Sequence, residues 1–303
     1  MRILLFGRNG QVGWELQRSL APLGQLIALS SSSKELCGDL INLSGIAQTI
    51  QKVSPDIIVN AAAYTAVDKA ENEPELAHRV NAQAPDVMAH EARRSNAWLI
   101  HYSTDYVFDG SGHTSRFETD IAKPLNIYGK TKLEGEKNIT ASGCSHLIFR
   151  TSWVYSTYGN NFIKTILRLA QERDQLKIVN DQIGSPTGAE LLADITAQIL
   201  TAEKYRSEIS GIYHLVSQGN TSWYDYAHFI LAYALSTNLQ LKTQLDSLLP
   251  ITSNEFPTPA RRPNNSRLDT HKFHNTFGLN LPAWQTGVTR TLTELLGTPR
   301  DSS

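Results

Sequence analysis

Short runs of apolar residues alternate with segments of helical periodicity through the first half of the chain, and this alternation limits the fold more than any other feature. The runs Ile57-Ile58-Val59 and Leu147-Ile148-Phe149 are continuous, as in parallel strands that are buried on both faces. The pattern predicts strands at residues 2–6, 25–29, 56–60, 98–103 and 146–151, with helices at 11–21, 42–53, 74–96 and 125–142. It therefore predicts an α/β fold, a Rossmann-like doubly wound parallel sheet.

The rhythm becomes looser after about residue 155. We expect further helices at 162–173, 189–202, 223–235 and 283–296, and strands at 176–179 and 212–216. A chain of 303 residues is long enough for two domains. We predict a dinucleotide-binding domain formed by residues 1–155 and about 183–216. A smaller C-terminal α/β domain, formed by about 156–182 and 217–303, would bind the substrate.

The charge balance and the apolar content exclude several classes of protein. The chain carries 28 Lys and Arg residues against 29 Asp and Glu, a net charge of −1, so we expect neither a nucleic acid nor a membrane as partner. Its apolar stretches are far shorter than the ~18 residues that span a bilayer, and the N-terminal one is too short for a secretion signal. Cys37 and Cys144 lack metal-site spacing and fit a reducing compartment. We expect a cytoplasmic protein.

Three glycines follow the first predicted strand and open the first predicted helix. Gly7, Gly10 and Gly13 have the spacing Gly-x-x-Gly-x-x-Gly, which differs from the commoner Gly-x-Gly-x-x-Gly of dinucleotide-binding loops. Glycines here permit a tight turn and let backbone N–H groups approach a pyrophosphate at the helix N-terminus. A tight turn without a ligand would use the same residues, but the position between strand and helix favours nucleotide binding.

The end of the second predicted strand bears on the choice of nicotinamide cofactor. An acid at this point binds the adenosine ribose of NAD, but the sequence from Ser30 to Lys34 is four serines and a lysine, with no carboxylate before Glu35. The hydroxyl groups, Lys34 and Arg8 of the glycine loop would tolerate a 2′-phosphate. We predict NADPH as the preferred cofactor, with NADH as the alternative.

Tyr128 and Lys132 are four residues apart in a predicted helix, so they share one helix face. A phenol has an ordinary pKa near 10. A lysine ammonium one turn away, together with an oxidised nicotinamide, would favour the phenolate and bring that pKa toward neutrality. The pair follows the strand that ends at Thr104. We predict Tyr128 as the proton donor, Lys132 as the residue that lowers its pKa, and Thr104 as a partner of the substrate oxygen.

Ordered motifs make the chain resemble the extended short-chain dehydrogenase/reductase family. In its first half these are the glycine loop, Asn60-Ala-Ala-Ala63-Tyr64-Thr65, Ser103-Thr104-Asp105-Tyr-Val-Phe and Tyr128-x-x-x-Lys132. Within that family the chain is similar to the dTDP-4-dehydrorhamnose reductases over nearly its whole length, through Phe149-Arg150-Thr-Ser-Trp153-Val-Tyr, Gly159-Asn-Asn-Phe162, Asp181-Gln-x-Gly-x-Pro-Thr187 and Ala260-Arg-Arg-Pro263-x-x-Ser266-x-Leu268. The resemblance implies NADPH-dependent reduction of the C4 ketone of dTDP-4-dehydro-L-rhamnose to dTDP-L-rhamnose, the last step of dTDP-rhamnose synthesis. Ser30 departs from it, because close relatives have an acid there.

The resemblance also implies roles for individual residues. The residues expected at the cofactor are Gly7, Gly10, Gln11, Val12, Gly13, Ser30, Asp39, Leu40, Ala63, Tyr64, Thr65, Tyr102, Tyr128 and Lys132. Those expected at the dTDP-sugar are Thr104, Asp105, Tyr128, Trp153, Arg261 and Arg262. The two guanidinium groups suit a diphosphate, although a solvent-exposed basic loop without a ligand would have the same sequence pattern. Some family members carry Mg²⁺ at a homodimer interface, which implies Glu15, Glu190 and Glu294 as its ligands.

Two other functions remain open. Another nucleotide-sugar 4-ketoreductase or an epimerase would use the same tyrosine and lysine. A 4,6-dehydratase needs a second carboxyl group after Asp105, and this chain has Tyr106 there. The regulatory subunit of methionine adenosyltransferase resembles the same branch of the family without catalysing reduction. Intact Tyr128, Lys132 and Thr104 favour the enzyme.

Overall fold

The computed structural model describes residues 1–202, 208–237 and 239–299. Its strands are β1 (Arg2–Phe6), β2 (Gln25–Leu29), β3 (Ile57–Asn60), β4 (Trp98–Thr104), β5 (His146–Thr151), β6 (Val154–Tyr155), β7 (Leu176–Val179), β8 (Ile183–Gly184), β9 (Thr187–Gly188), β10 (Gly211–His214), β11 (Thr221–Ser222) and β12 (Leu248–Ile251). Its helices are α1 (Gln11–Leu20), α2 (Leu43–Val53), α3 (Val67–Ala70), α4 (Pro74–His78), α5 (Ala84–Ser95), α6 (Ile127–Ser142), α7 (Phe162–Glu172), α8 (Ala189–Thr201), α9 (Trp223–Ser236), α10 (His271–Phe277) and α11 (Trp284–Leu296). No helix within the described ranges is long and apolar enough to cross a membrane.

Six strands form one parallel sheet in the order β10-β5-β4-β3-β1-β2. The five strands predicted for the first half of the chain are all in it, and their ends differ from the prediction by at most one residue. The strand predicted at 212–216 joins the edge as β10. The chain order reverses at β1, because β2 and β3 flank it on opposite sides. The prediction of a doubly wound parallel sheet is confirmed.

Helices cover both faces of this sheet. On one face, Ile3 and Leu5 of β1 pack in a core with Leu16 of α1 and Leu192 of α8. On the other face, residues of β1, β3 and β4 form a second core with α2, α5 and α6. Since alternate side chains of a strand point to opposite faces, continuous apolar strands such as β1 can supply both cores.

The long helix predicted at 74–96 forms over residues 74–95 and contains a π turn. Its α-helical parts α4 and α5 are joined without a break by the π-helical segment Arg79–Gln83. Pro85 lies just after this segment, so the change in hydrogen-bond pattern falls where the proline lacks an N–H.

The later part of the chain builds a separate core. Residues of α7, α9 and α11 pack together around Tyr226 and Trp284. The strand predicted at 176–179 forms as β7, but it pairs with β12 and not with the main sheet. β12, α10 and the two-residue strands lack a clear periodicity and were not predicted. The division into a cofactor domain and a substrate domain stays a prediction, and residues 203–207, 238 and 300–303 of the predicted ranges lie outside the described residues.

Candidate active site

One cavity of about 800 Å³ opens along the carboxyl ends of β1, β3 and β4. It lies where the chain order reverses, the position at which such sheets bind ligands. The predicted cofactor and sugar residues that line it are Gly7, Gly10, Gln11, Val12, Ser30, Asp39, Leu40, Ala63, Tyr64, Thr65, Tyr102, Thr104, Asp105, Tyr128, Lys132 and Trp153. The structure therefore brings together residues from most of the sequence motifs. Gly13, Arg261 and Arg262 are not part of its lining.

Glycines shape the turn between β1 and α1. Gly7 has a φ of +92°, and a Cβ on it would lie 2.6 Å from the backbone nitrogen of Ala62, so only glycine fits. Gly10 precedes α1, and no side chain caps this helix. The first-turn N–H groups at the cavity are therefore available to an anion, as in phosphate-binding helices. Gly13 packs closely against this turn, because a Cβ on it would lie 2.0 Å from the carbonyl oxygen of Gly7, and its predicted cofactor contact stays a prediction.

The end of β2 forms one extremity of the cavity. Ser30 is buried, and its Oγ lies 3.2 Å from Oγ of Ser32. Opposite, Oδ1 of Asp39 accepts the N–H of Ile41 at 3.1 Å, which turns the chain so that Leu40 lines the cavity. Hydroxyl groups thus follow β2 at the point where an NAD site has a carboxylate.

A buried asparagine holds the loop that follows β3. Oδ1 of Asn81 accepts the N–H of Tyr64 at 2.9 Å, and its Nδ2 donates to the carbonyl oxygen of Tyr64 at 3.1 Å and to Oγ1 of Thr131 at 3.2 Å. Asn81 lies in the π-helical segment, a feature that is frequent near functional sites. The π turn in the predicted helix therefore fixes the backbone of Tyr64 at the cavity wall.

Tyr128 lies in the first turn of α6, which Asn126 caps by accepting the N–H of Gly129 at 2.8 Å. Its ring contacts that of Tyr106 edge to face, with 5.7 Å between the ring centroids. Burial raises the pKa of Tyr128 to about 12, and this effect outweighs the opposing hydrogen bond with Thr104. The phenol is therefore protonated at neutral pH, as a proton donor to a ketone must be.

Asp105 follows β4 and is 3% exposed. Oγ1 of Thr104 donates to its Oδ1 at 3.0 Å and accepts the N–H of Tyr106 at 3.1 Å. Burial raises the pKa of Asp105 to about 6, although hydrogen bonds with Ser266 and Thr104 oppose the rise. Above pH 6 this carboxylate can accept a hydrogen bond from a hydroxyl group in the cavity.

Lys132 is 1% exposed, and its hydrogen bonds go to β4. Its Nζ donates to the carbonyl oxygen of Tyr102 at 2.6 Å and lies 3.0 Å from Nε2 of His101. Burial lowers the pKa of Lys132 to about 8, against the charge of Glu136, which raises it. In this structure burial dominates the pKa of Tyr128 and Lys132 is hydrogen-bonded to β4, so the effect of Lys132 together with an oxidised nicotinamide on that pKa stays a prediction.

Two stacked tryptophans form a further wall of the cavity. The rings of Trp153 and Trp223 are 3.6 Å apart and nearly parallel. Trp153 has a φ of +49°, which is rare for a bulky residue. Gly184 leaves room for its indole, since a Cβ there would lie 2.6 Å from Cε2. Trp223 was not predicted as a site residue, although Ser222, which caps α9 by accepting the N–H of Asp225, marks its position at a helix start.

Comparison with known proteins gives a consistent result along the whole chain. The family model described as RmlD substrate binding domain matches residues 1–296. The dTDP-4-dehydrorhamnose reductases of Shigella flexneri and Escherichia coli K12 are each 55% identical over 298 residues, which covers 98% of this chain and 99% of theirs. The chain belongs to the dTDP-4-dehydrorhamnose reductase family. A crystal structure of the Bacillus anthracis member in complex with NADP has a TM-score of 0.87 and 35% identity, covering 97% of this chain and 99% of that one.

A dinucleotide of the kind this family's fold implies fits the cavity. The uncapped start of α1 and the close approach allowed by Gly7 and Gly10 suit a pyrophosphate. From there the cavity runs in one direction to Ser30 and Asp39, and in the other to Tyr102 and the residues of α6. These two extremities would hold the adenosine and nicotinamide halves.

The arginines predicted at the sugar diphosphate lie in the loop that packs against the start of α6. Nη2 of Arg262 donates to Oδ2 of Asp68 at 2.8 Å. The carbonyl oxygen of Arg261 accepts from Nδ2 of Asn126 at 2.8 Å, and its side chain is exposed. In this structure Arg262 is thus an ion-pair partner, and Arg261 contributes its backbone to the cap of α6.

The three glutamates predicted as Mg²⁺ ligands do come near one another, but as partners of arginines. Arg18 lies 3.5 Å from Glu15 and 3.9 Å from Glu190. Arg290 lies 2.8 Å from Glu190 and 3.1 Å from Glu294. Among the described residues, no group of three or more His, Cys, Asp or Glu side chains could hold a metal ion. The prediction of Mg²⁺ is not supported, because guanidinium groups already balance these carboxylates.

Proposed function

We propose that the protein reduces the C4 ketone of dTDP-4-dehydro-L-rhamnose with NADPH and forms dTDP-L-rhamnose. The cavity carries this proposal, because it joins an uncapped, glycine-lined helix start to a protonated phenol in one continuous space. Relatives at 55% identity over nearly their whole length are reductases of this substrate. The Bacillus anthracis relative binds NADP.

The reduction adds a hydride to carbon and a proton to oxygen. Bound NADPH supplies the hydride that C4 receives. Tyr128 donates its proton to the C4 oxygen, so that the ketone becomes an alcohol and the phenol becomes a phenolate. Oγ1 of Thr104 donates to Asp105 in this structure, and its hydrogen would turn from Asp105 to the ketone oxygen when the substrate binds beside the phenol of Tyr128. Asp105 would accept a hydrogen bond from a sugar hydroxyl.

The position after Asp105 supports reduction and not dehydration. A 4,6-dehydratase needs a second carboxyl group to remove a proton while water leaves. Here Tyr106 follows, and its ring packs edge to face against Tyr128. The aromatic contact fixes the orientation of the phenol, and no acid is available at this position.

We infer NADPH as the preferred cofactor from the residues at the end of β2. Ser30 and Ser31 line the cavity there, and Arg8 lies nearby, donating to the carbonyl oxygen of Ala28 at 3.4 Å. Hydroxyl and guanidinium groups accommodate a 2′-phosphate, whereas a carboxylate would repel it. The ratio of kcat/KM for NADPH and NADH tests this inference. A strong preference for NADH would contradict it.

The substrate is tested by following NADPH absorbance with dTDP-4-dehydrorhamnose and with a panel of other nucleotide 4-keto sugars. We expect turnover with the dTDP-sugar to exceed that with the others. Turnover with none of them would contradict reduction and favour a binding subunit, whereas a different best substrate would revise only the sugar. A cytoplasmic location and a homodimer stay predictions.

A further inference from the structure

Asn60, His101 and Lys132 form a buried chain of hydrogen bonds beneath the cavity. Nδ2 of Asn60 lies 3.1 Å from Nδ1 of His101, and Nζ of Lys132 lies 3.0 Å from Nε2 of the same ring. All three side chains are 1% exposed. Each contact must therefore join a donor to an acceptor, since two donors that face each other in a buried position cost free energy.

The backbone fixes the direction of the first bond. Oδ1 of Asn60 accepts the N–H of Ala62 at 3.1 Å. Nδ2 of Asn60 is therefore the group that faces His101, and it is a donor. It follows that Nδ1 of His101 accepts, and that the single proton of the neutral imidazole is on Nε2.

The proton on Nε2 of His101 points at Lys132. Nζ can accept it only as a neutral amine, which keeps N–H groups for the carbonyl oxygen of Tyr102 at 2.6 Å. An ammonium group has three donors and no acceptor. If Lys132 is charged, its ammonium group faces the N–H on Nε2 of His101, and two donors meet. Turning the amide of Asn60 over would let His101 change its tautomer, but Nδ2 of Asn60 would then face the N–H of Ala62. Only the neutral amine satisfies all four contacts.

We propose that Asn60 and His101 are positioning residues that favour the neutral amine of Lys132 in the protein without cofactor. Its titration then falls in the neutral range of pH instead of the alkaline range of an ordinary lysine. Desolvation acts in the same direction, since burial lowers the pKa of both Lys132 and His101.

The other titratable groups on the elements around Lys132 already have partners. On α6 and β5, Glu136 is paired with Arg150 at 2.6 Å. On β4, the phenol of Tyr102 is bonded to Thr196 at 2.7 Å. Asp105 is bonded to Thr104, and Tyr128 is a protonated phenol. Among the described residues no carboxylate is hydrogen-bonded to Nζ, and the charge of Glu136 raises the pKa of Lys132 by less than burial lowers it.

For the reaction, this inference rests on the proposed function. At pH 7 a midpoint near 8 still leaves most of Lys132 charged, and the neutral amine becomes the main form only above that midpoint. His101 and Asn60 do not line the cavity, so they act through Lys132.

Lysine ¹³Cε NMR of the cofactor-free protein measures the titration directly. The Lys132 resonance is the one that K132Q lacks. We expect its midpoint near or below pH 8, about two pH units below an ordinary lysine. A resonance that stays in the ammonium form up to about pH 10 would overturn the proposal without any further variant. Because no substrate is present, a wrong substrate assignment would leave this result unchanged.

Two variants separate the proposed role from burial alone. In H101Q an amide oxygen can accept a hydrogen bond from the ammonium group of Lys132. In N60D the carboxylate accepts a hydrogen bond from Nδ1–H of His101, so that Nε2 of His101 becomes an acceptor for Lys132. Both should raise the Lys132 midpoint by about one pH unit or more. H146Q is the control, since His146 is a buried histidine of β5 whose Nδ1 bonds to the carbonyl oxygen of Cys144. An unmoved midpoint in folded H101Q and N60D, or an equal rise in H146Q, would overturn the proposal.

Discussion

Two buried basic side chains, Arg150 and Lys132, lie near α6 and differ in their hydrogen-bond partners. Arg150 of β5 is bonded through Nε and Nη2 to Glu136 of α6, at 3.0 and 2.6 Å. Its Cζ lies 5.1 Å from the ring centroid of Phe108. Lys132, one turn before Glu136, has an imidazole and a carbonyl oxygen as partners. One cation is therefore neutralised by a carboxylate, and the other is not.

The difference separates a structural charge from a chemical one. A buried ion pair with good geometry keeps both charges through the ordinary pH range. Neutralising one partner would leave the other as an unpaired buried charge, which costs a large free energy. A buried amine without a carboxylate has a lowered pKa and can gain or lose its proton near neutrality. The same apolar surroundings thus fix Arg150 and make Lys132 titratable. Three variants test this contrast.

Arg150→Met should have the largest effect on stability. Among the described residues it leaves the buried Glu136 with only Ser103 as a side-chain hydrogen-bond donor, and the loss of one partner of a buried pair costs about 3–5 kcal/mol. The measurement is the free energy of unfolding from urea denaturation at pH 7.

Arg168→Met is the matched control, since Arg168 pairs with Glu172 on the surface and exposed pairs contribute about 0–1 kcal/mol. Equal losses in the two variants would show that the Arg150–Glu136 pair has no special weight.

Asp105→Asn should stabilise the protein. The pKa of Asp105 is raised from 3.8 to about 6, so the folded chain binds more protons than the unfolded chain between these values, and stability falls as pH rises through that window. The full penalty is about 3 kcal/mol. The variant keeps the acceptor for Thr104 but loses charge-assisted bonds, so we expect a net gain of about 2 kcal/mol at pH 7.

Unfolding experiments on the wild type and the Asp105→Asn variant from pH 4 to pH 7 test this gain. The difference between them should vanish near pH 4. A difference that is constant with pH would show that Asp105 is not desolvated as described.

Lys132→Met should change stability least. The pKa of Lys132 is lowered from 10.5 to about 8, so the unfolded chain binds more protons between these values, and wild-type stability rises with pH across that window. The penalty below pH 8 is about 3 kcal/mol. Two lost hydrogen bonds offset about 2 kcal/mol of it, which leaves a gain of about 1 kcal/mol at pH 7.

The same variant should lose the pH-dependent rise between pH 8 and 10.5, measured as the difference from wild type in urea titrations. A parallel pH dependence in both proteins would contradict a titrating Lys132. Reductase activity of the variant should fall although its free energy of unfolding rises, which separates the effect of Lys132 on stability from its role in the reaction.

Local signals account for the part of the molecule that could be predicted. Continuous apolar runs located β1 to β5, and the glycine spacing after β1 located the cavity's uncapped helix. Tyr128 and Lys132 were found because a spacing of four residues defines one helix face. These features depend on neighbours in sequence, so periodicity and turn chemistry reveal them.

The remaining site residues depend on contacts between distant segments. Asn81 reaches Tyr64 only because a π turn redirects it. Trp223 reaches Trp153 across 70 positions of the chain. Arg262 is committed to Asp68, 194 positions away. Spacing carries no information on such pairs, so the sequence does not reveal the ion pair of Arg262 with Asp68, and its contact with the sugar diphosphate stays a prediction.

Tyr128→Phe tests the central claim, that this phenol is the acid of a ketone reduction, most directly. The measurement is NADPH oxidation with dTDP-4-dehydrorhamnose, alongside NADPH binding by fluorescence. We predict that kcat falls about 10²–10⁴-fold, while the Kd for NADPH changes by less than about three-fold because only a hydroxyl group is removed. A variant that retains wild-type kcat would contradict the account.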